Sequence, residues 1–124
     1  MGKTVRIKEV MSTQLLSVAP DATVLAISQL MAKRDIGSVL VKSGEQIIGI
    51  VTEKDIIRKV VTAGLTAGDV KADTVMSSPV FSIDQEATLE EARRQMGEQN
   101  IRHLLVTAKG KPAGMISVRT WLGG

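Results

Sequence analysis

No cysteine occurs among the 124 residues. Disulfides, thiolate metal ligands and thiol catalysis are thereby excluded, and the absence fits a reducing, cytoplasmic setting. Aromatic residues are only Phe81 and Trp121, so a core must be built from Val, Ile, Leu, Met and Ala. There is one histidine, His103, and no tyrosine. No nucleophile elbow, P-loop, dinucleotide-type glycine motif or clustered His/Asp metal spacing is present. Neither an enzyme nor a metal or other required cofactor is expected. No stretch approaches the roughly 18 apolar residues of a membrane-spanning helix. The opening MGKTVRIKEVMS has no apolar run of signal-peptide length, so neither a leader nor a membrane partner is expected. Charge does not cluster either. The 16 basic and 13 acidic residues leave a net +3, spread thinly. Nucleic acid is not an expected partner, and the small surplus suits an anionic ligand.

What the chain does contain is a duplication. Shifted by 65 residues, positions 10–57 lie over 75–122 without a gap, and 11 of the 48 pairs are identical. Composition alone would give roughly three. The identities include Met11/Met76, Ser12/Ser77, Ala22/Ala87, Thr23/Thr88, Met31/Met96 and Gly49/Gly114.

Each copy reads as βαββα. A short strand at 15–18 or 80–83 precedes a helix opened by Thr23 or Thr88. Thr88-Leu89-Glu90-Glu91 is a capping box. Val24, Ile27 and Met31, like Leu89, Ala92 and Met96, follow i, i+3, i+7 spacing. Gly37 and Asn100 are the expected helix stops. Hairpins follow, with loops Ser43-Gly44-Glu45-Gln46 and Ala108-Lys109-Gly110-Lys111-Pro112. A second helix runs from Thr52 to near Gly64; its counterpart after Ser117 is short. The expected organisation is repeat one at 8–64, a linker at 65–73 and repeat two at 74–124. The fold class is α+β, two pseudo-symmetric repeats packed sheet to sheet on one shared core. A ligand would sit in the cleft where they meet.

Two stretches carry candidate chemistry. In Gly49-Ile50-Val51-Thr52-Glu53-Lys54-Asp55 a strand runs directly into a helix. Unpaired amides at such a turn attract anions, and a carboxylate at Asp55 can accept the two hydroxyls of a ribose. Equally, Thr52 is a good N-cap, and Glu53 and Asp55 suit the positive end of a helix. Capping alone sets the cost of Asp55→Ala at about 1 kcal/mol. Repeat two keeps the hydroxyl, Ser117, but has Thr120 in place of Asp55. The second stretch is Asn100-Ile101-Arg102-His103. Arg102 and His103 suit a phosphate, though a lone histidine also serves structurally. Their equivalents, Gly37 and Ser38, are uncharged. Trp121 replaces Ile56, as core or as an oligomer contact.

The doubled V-M-S-[ST] start, the stretch from Gly49 to Asp55, and Ile101-Arg102-His103-Leu104-Leu105-Val106 together resemble the tandem CBS domain, the cystathionine β-synthase-type regulatory module. The resemblance covers nearly the whole chain. It implies non-catalytic binding of AMP, ADP or ATP, with S-adenosylmethionine or NAD as alternatives. A ligand-free interaction module is the competing function. The resemblance places Thr52 and Asp55 on the ribose and Ile50 against the base. Ser78, Pro79 and Val80 line the adenine pocket with Ile101. Arg102 and His103, with Lys54 and Arg58, meet phosphate. A mirror site would use Ser117 with Gln14, Leu15, Ile36 and Gly37, and Thr120 leaves it weak or empty. Stand-alone pairs of this family commonly form homodimers, and a homodimer is expected here.

Overall fold

Thr23 and Thr88 start the two long helices by the same device. In the computed structural model, which describes residues 4–121 without the side chains of Thr120 and Trp121, helix α1 spans Val24–Arg34. The Thr23 hydroxyl oxygen accepts the Ala26 N–H at 3.1 Å. The matching helix is Leu89–Gln99, called α4 by its place in the chain, and Thr88 caps it by accepting the Glu91 N–H. Glu91 returns the bond to the Thr88 N–H at 2.8 Å. Both helices stop on a left-handed residue, Asp35 at φ 53° and Asn100 at φ 54°. Asp35, not Gly37, is therefore the first stop. Asp and Asn tolerate this conformation because their short polar side chains bond locally. The expected roles of Thr120 and Trp121 rest on side chains outside the described residues.

Each helix lies on a three-stranded sheet. The first holds β1 (Ser17–Val18), β2 (Ser38–Ser43) and β3 (Gln46–Thr52); the second holds β4 (Ser82–Asp84), β5 (His103–Ala108) and β6 (Lys111–Ser117). In both, the first strand pairs parallel with the second, and the second pairs antiparallel with the third. The hairpin loops are two residues, Gly44-Glu45 and Lys109-Gly110, shorter than the sequence suggested. A register shift after Val41 and after Val106 draws Ser43, Gln46, Ala108 and Lys111 into the ladders. Lys109 and Gly110 both have positive φ, as a tight primed turn requires.

β3 runs into α2 (Glu53–Ile56), which widens into a π-helical turn at Ile57–Val61 and ends at Gly64, φ +72°. Residues 65–73, read from sequence as a linker, contain a 3-10 turn, Ala67–Asp69, and the start of α3 (Ala72–Val75). Ala72 is fully buried.

The described residues divide into two units. Leu16–Val80 is the first-sheet unit; residues 4–15 and 81–121 form the second-sheet unit. Each opening segment thus lies on the sheet of the other repeat. Ser77 bridges Ile50, as Ser12 bridges Met115; Lys71 bridges Thr23, as Arg6 bridges Thr88. The Ala72 N–H donates to Ala22 O at 2.8 Å, as the Ile7 N–H does to Ala87 O at 2.9 Å. Gly49 and Gly114 are the crossing points. A Cβ on Gly114 would stand 2.5 Å from the Ser12 carbonyl oxygen, and one on Gly49 would overlap the Met76 thioether. The repeated Met, Ser, Ala, Thr and Gly are thus explained by one crossing made twice. The core follows the same division. Val24, Ile27, Val39, Val41, Val51 and Ala72 belong to one buried cluster, and Ile7, Ala92, Met96, Leu104, Val106 and Ile116 form the other. One shared core was expected; each unit has its own because its crossing segment completes it.

Candidate functional site

Asp55 is the only buried polar or charged residue among those described, at 6% exposure. Its position follows from the strand–helix turn. Thr52 is the last residue of β3 and the N-cap of α2, with extended backbone at φ −114°. Its Oγ1 accepts the Asp55 N–H at 3.2 Å. Asp55 Oδ2 accepts both the Thr52 N–H and the Thr52 hydroxyl, each at 3.0 Å. The capping reading is therefore realised as a reciprocal box.

The other carboxylate oxygen faces different donors. Oδ1 accepts the Ser77 hydroxyl at 2.8 Å and lies 3.1 Å from the Lys59 ammonium. Lys59 also donates to the Val75 carbonyl at 2.8 Å. A carboxylate has about four acceptor sites, and all four here are in use. No buried side-chain polar atom among the described residues lacks a partner. Desolvating a carboxylate is costly unless its lone pairs are filled, and these donors are what let Asp55 be buried.

The turn offers an anion less than the sequence suggested. The Glu53 N–H is bound to Gly37 O at 3.1 Å and the Asp55 N–H to Thr52 Oγ1. The expectation of unpaired amides is corrected at those two positions. The cause is local: the loop before β2 and the N-cap hydroxyl reach them first.

The second-sheet unit repeats the frame. His103 pairs with Ser117 in the ladder as Ser38 pairs with Thr52, and the Val118 N–H donates to Arg102 O at 3.0 Å. The residues 65 places beyond Asp55 and Lys59 are Thr120 and Gly124. Neither residue type carries a carboxylate or an ammonium.

The sequence candidates divide between the units. Ile50, Thr52, Lys54, Asp55 and Arg58 lie in the first-sheet unit with Ser78, Pro79 and Val80. Ile50 is buried, and its N–H and C=O pair with Ser77 at 3.0 and 2.8 Å. Lys54 is half-buried and Arg58 exposed, as are Ser78 and Pro79, whose shared peptide bond is cis. Ile101, Arg102 and His103 belong to the second-sheet unit, at the turn from α4 into β5. Ile101 packs against that unit's core, Arg102 is exposed and His103 is half-buried. Of the mirror set, Gln14, Leu15 and Ser117 fall in this unit, and Ile36 and Gly37 in the other.

Sequence reasoning missed Ser77 and Lys59. A signal for each existed. Ser77 is one of the eleven repeated identities, and Lys59 follows Asp55 by four residues, the favourable acid-before-base spacing on a helix.

Comparison with known proteins agrees with this architecture. The CBS domain family model matches residues 7–62 and 67–122. An uncharacterised protein of Methanopyrus kandleri is 32% identical over 119 residues, covering 94% of this chain and 61% of its own length. The chain spans 42% of a second relative, from Thermofilum pendens. A CBS-domain protein of Burkholderia ambifaria, named for a proposed role in signal transduction, superposes with TM-score 0.88 at 31% identity, over 97% of this chain and 91% of its own. A hexameric CBS-CP12 protein of bloom-forming cyanobacteria superposes with TM-score 0.90 at 25% identity, over 99% of this chain and 73% of its own. Two family matches, one on each sequence repeat, together with two sheets of one topology, identify this chain as a tandem CBS-domain pair, a member of a family of regulatory modules.

Proposed function

We propose that this pair is a non-catalytic regulatory module that binds an adenine nucleotide of the AMP, ADP or ATP type through the Asp55 turn. The observation that carries the reading is the buried Asp55 carboxylate, which one repeat has and the other lacks. Its Oδ1 holds a hydroxyl and an ammonium that a ligand can replace. The adjacent hydroxyls of a ribose are donors of the same kind. Thr52 stays behind to hold Oδ2, so the carboxylate keeps its aim while Oδ1 changes partner. In the same unit, Ile50, Ser78, Pro79 and Val80 serve the base, and Lys54 and Arg58 the phosphates.

The test is a melting series with AMP, ADP, ATP, NAD and S-adenosylmethionine. A ligand at 100 times its Kd stabilises the fold by about 2.7 kcal/mol, on the order of 10 °C for a chain of this size. Asp55→Asn should remove the shift. No shift with any of the five sinks the reading. A full shift in Asp55→Asn moves the site to the Ser117 turn. Phosphate released from ATP above a blank would make the protein an enzyme.

A ligand-free interaction module is the second reading, and one observation favours it. Ile57, Val61 and Leu65 are exposed at 55%, 64% and 53%, spaced four residues apart along the turn after α2. Exposed apolar side chains this close in sequence suit self-association, and this reading assigns the homodimer contact to them. Val61→Lys should then reduce the mass seen in light scattering to that of one chain.

A further inference from the structure

Asp55 does more than cap α2, because its second oxygen holds a different part of the chain. Ser77 belongs to the crossing segment, and its hydroxyl is 2.8 Å from Oδ1. Lys59 spans the same gap, with Nζ 3.1 Å from Oδ1 and 2.8 Å from the Val75 carbonyl. α3 and the residues just after it are therefore tied to the strand–helix turn twice, by one carboxylate oxygen. The equivalent crossing of the second-sheet unit has the same backbone bridge, Ser12 to Met115. Its sequence provides neither the acid nor the base for such a tie, with Thr120 and Gly124 at those positions.

We propose that Asp55, Lys59 and Ser77 form an internal clasp that competes with ligand. The clasp holds residues 75–77 on their sheet while Oδ1 is theirs. The two adjacent hydroxyls of a ribose, on taking Oδ1, displace the Ser77 hydroxyl and the Lys59 ammonium, because four acceptor sites cannot serve six donors. Ligand occupancy and the docking of the crossing segment are then antagonistic, and the segment becomes the part of the molecule that reports binding. This coupling rests on the proposed nucleotide reading; the clasp itself does not.

Amide hydrogen exchange followed by NMR separates the two. The chain without ligand is compared with Lys59→Met and Ser77→Ala, both of which leave the Thr52–Asp55 box intact. The Ser77 and Ile50 amides, which bridge the segment to β3, should exchange about tenfold faster in Lys59→Met, and several-fold faster in Ser77→Ala. The Ser12 and Met115 amides serve as the internal control and should not change. Unchanged exchange at Ser77 in both variants overturns the clasp. Calorimetric titration with ATP and AMP tests the competition. Lys59→Met and Ser77→Ala should bind several-fold more tightly than the parent chain. Weaker or equal binding overturns the competition, since Lys59 and Ser77 would then be ligand contacts or bystanders. Absence of heat in all three proteins removes the nucleotide reading and the displacement step together, and the exchange rates still decide the clasp.

Discussion

In the first-sheet unit the crossing segment is fastened at its far end, where the buried Asp55 takes Ser77 and Lys59. In the second-sheet unit two fasteners lie at the near end, on the surface. Lys8 meets the Glu86 carboxylate at 2.9 Å, and Arg6 donates to the Glu86 carbonyl at 3.1 Å. The backbone bonds of the two crossings are otherwise the same. Exposed pairs are worth about 0–1 kcal/mol, and breaking a buried one costs more because a desolvated charge is stranded. One scaffold therefore carries two kinds of fastener, and only the buried kind brings a carboxylate to the strand–helix turn. Duplication preserved what folds the chain and left the fasteners free to diverge.

The comparison can be strained first at its cores. Leu104 and Val39 occupy equivalent positions in β5 and β2, and both are buried. Leu104→Ala should cost about 3–4 kcal/mol in urea denaturation and Val39→Ala about 2. Equal losses would mean that the first-sheet core relaxes less around its cavity.

The crossing points come next. Gly114→Ala should cost about 2–3 kcal/mol, because its Cβ would meet the backbone oxygen of Ser12. Gly49→Ala should cost somewhat less, about 1–2 kcal/mol: the Met76 sulfur can turn away, but its Cβ, 3.0 Å from the new methyl, is fixed to the backbone. A reversed order would show the Met76 thioether to be the more rigid neighbour.

Asp55→Ala sharpens the fasteners. As a helix cap alone it would cost about 1 kcal/mol. The structure raises the expected loss to about 2 kcal/mol, since Ser77 and Lys59 lose an acceptor as well; the 43% exposure of the Lys59 side chain keeps it below the figure for a fully buried pair. Glu86→Ala, its surface counterpart, should cost under about 1 kcal/mol. Thermal melts of the two variants give the difference directly.

How much of this was legible depended on whether the cause was local. Thr23, Thr88 and Glu91 announce their helices because a cap acts over three residues. The apolar spacing of Val24, Ile27 and Met31 is equally short-range, and all three are buried. The hairpin loops came out shorter because the register shifts after Val41 and Val106 depend on cross-strand pairing. The exchange of segments was not legible in the repeat itself; only the family resemblance, which set Ser78, Pro79 and Val80 beside Thr52 and Asp55, pointed to it. A 65-residue offset shows that Ser12 matches Ser77, but not that each serves the other repeat's sheet. At the site, the Thr52–Asp55 pair could be read from its spacing. Its Ser77 partner lies 22 residues away and Lys59 could have pointed to solvent, so the saturation of Asp55 needed the fold.

The smallest predicted effect concerns the two long helices. Both have threonine caps, but only α4 has the returning carboxylate, with Glu91 on the Thr88 N–H at 2.8 Å. The equivalent of Glu91 in α1 is Ala26, which is exposed. Thr88→Ala and Thr23→Ala each remove one cap hydroxyl and should cost about 1 kcal/mol alike; Glu91→Ala, which removes only the returning bond to the Thr88 N–H, should cost about 0.5 kcal/mol. The converse is more discriminating. Ala26→Glu adds a carboxylate at N3, where it can reach the Thr23 N–H and meets the positive end of the helix. Against it stands the better intrinsic helix propensity of alanine. The Thr23–Lys71 bridge also bears on the outcome, because the crossing segment passes beside this cap. If the Thr23 N–H is open to a side chain, as the Thr88 N–H is beside Arg6, Ala26→Glu should raise stability by about 0.3–0.5 kcal/mol. A loss of the same size would show that the segment has already taken that donor in the first-sheet unit, and that the two crossings differ at their near ends as well as at their far ends.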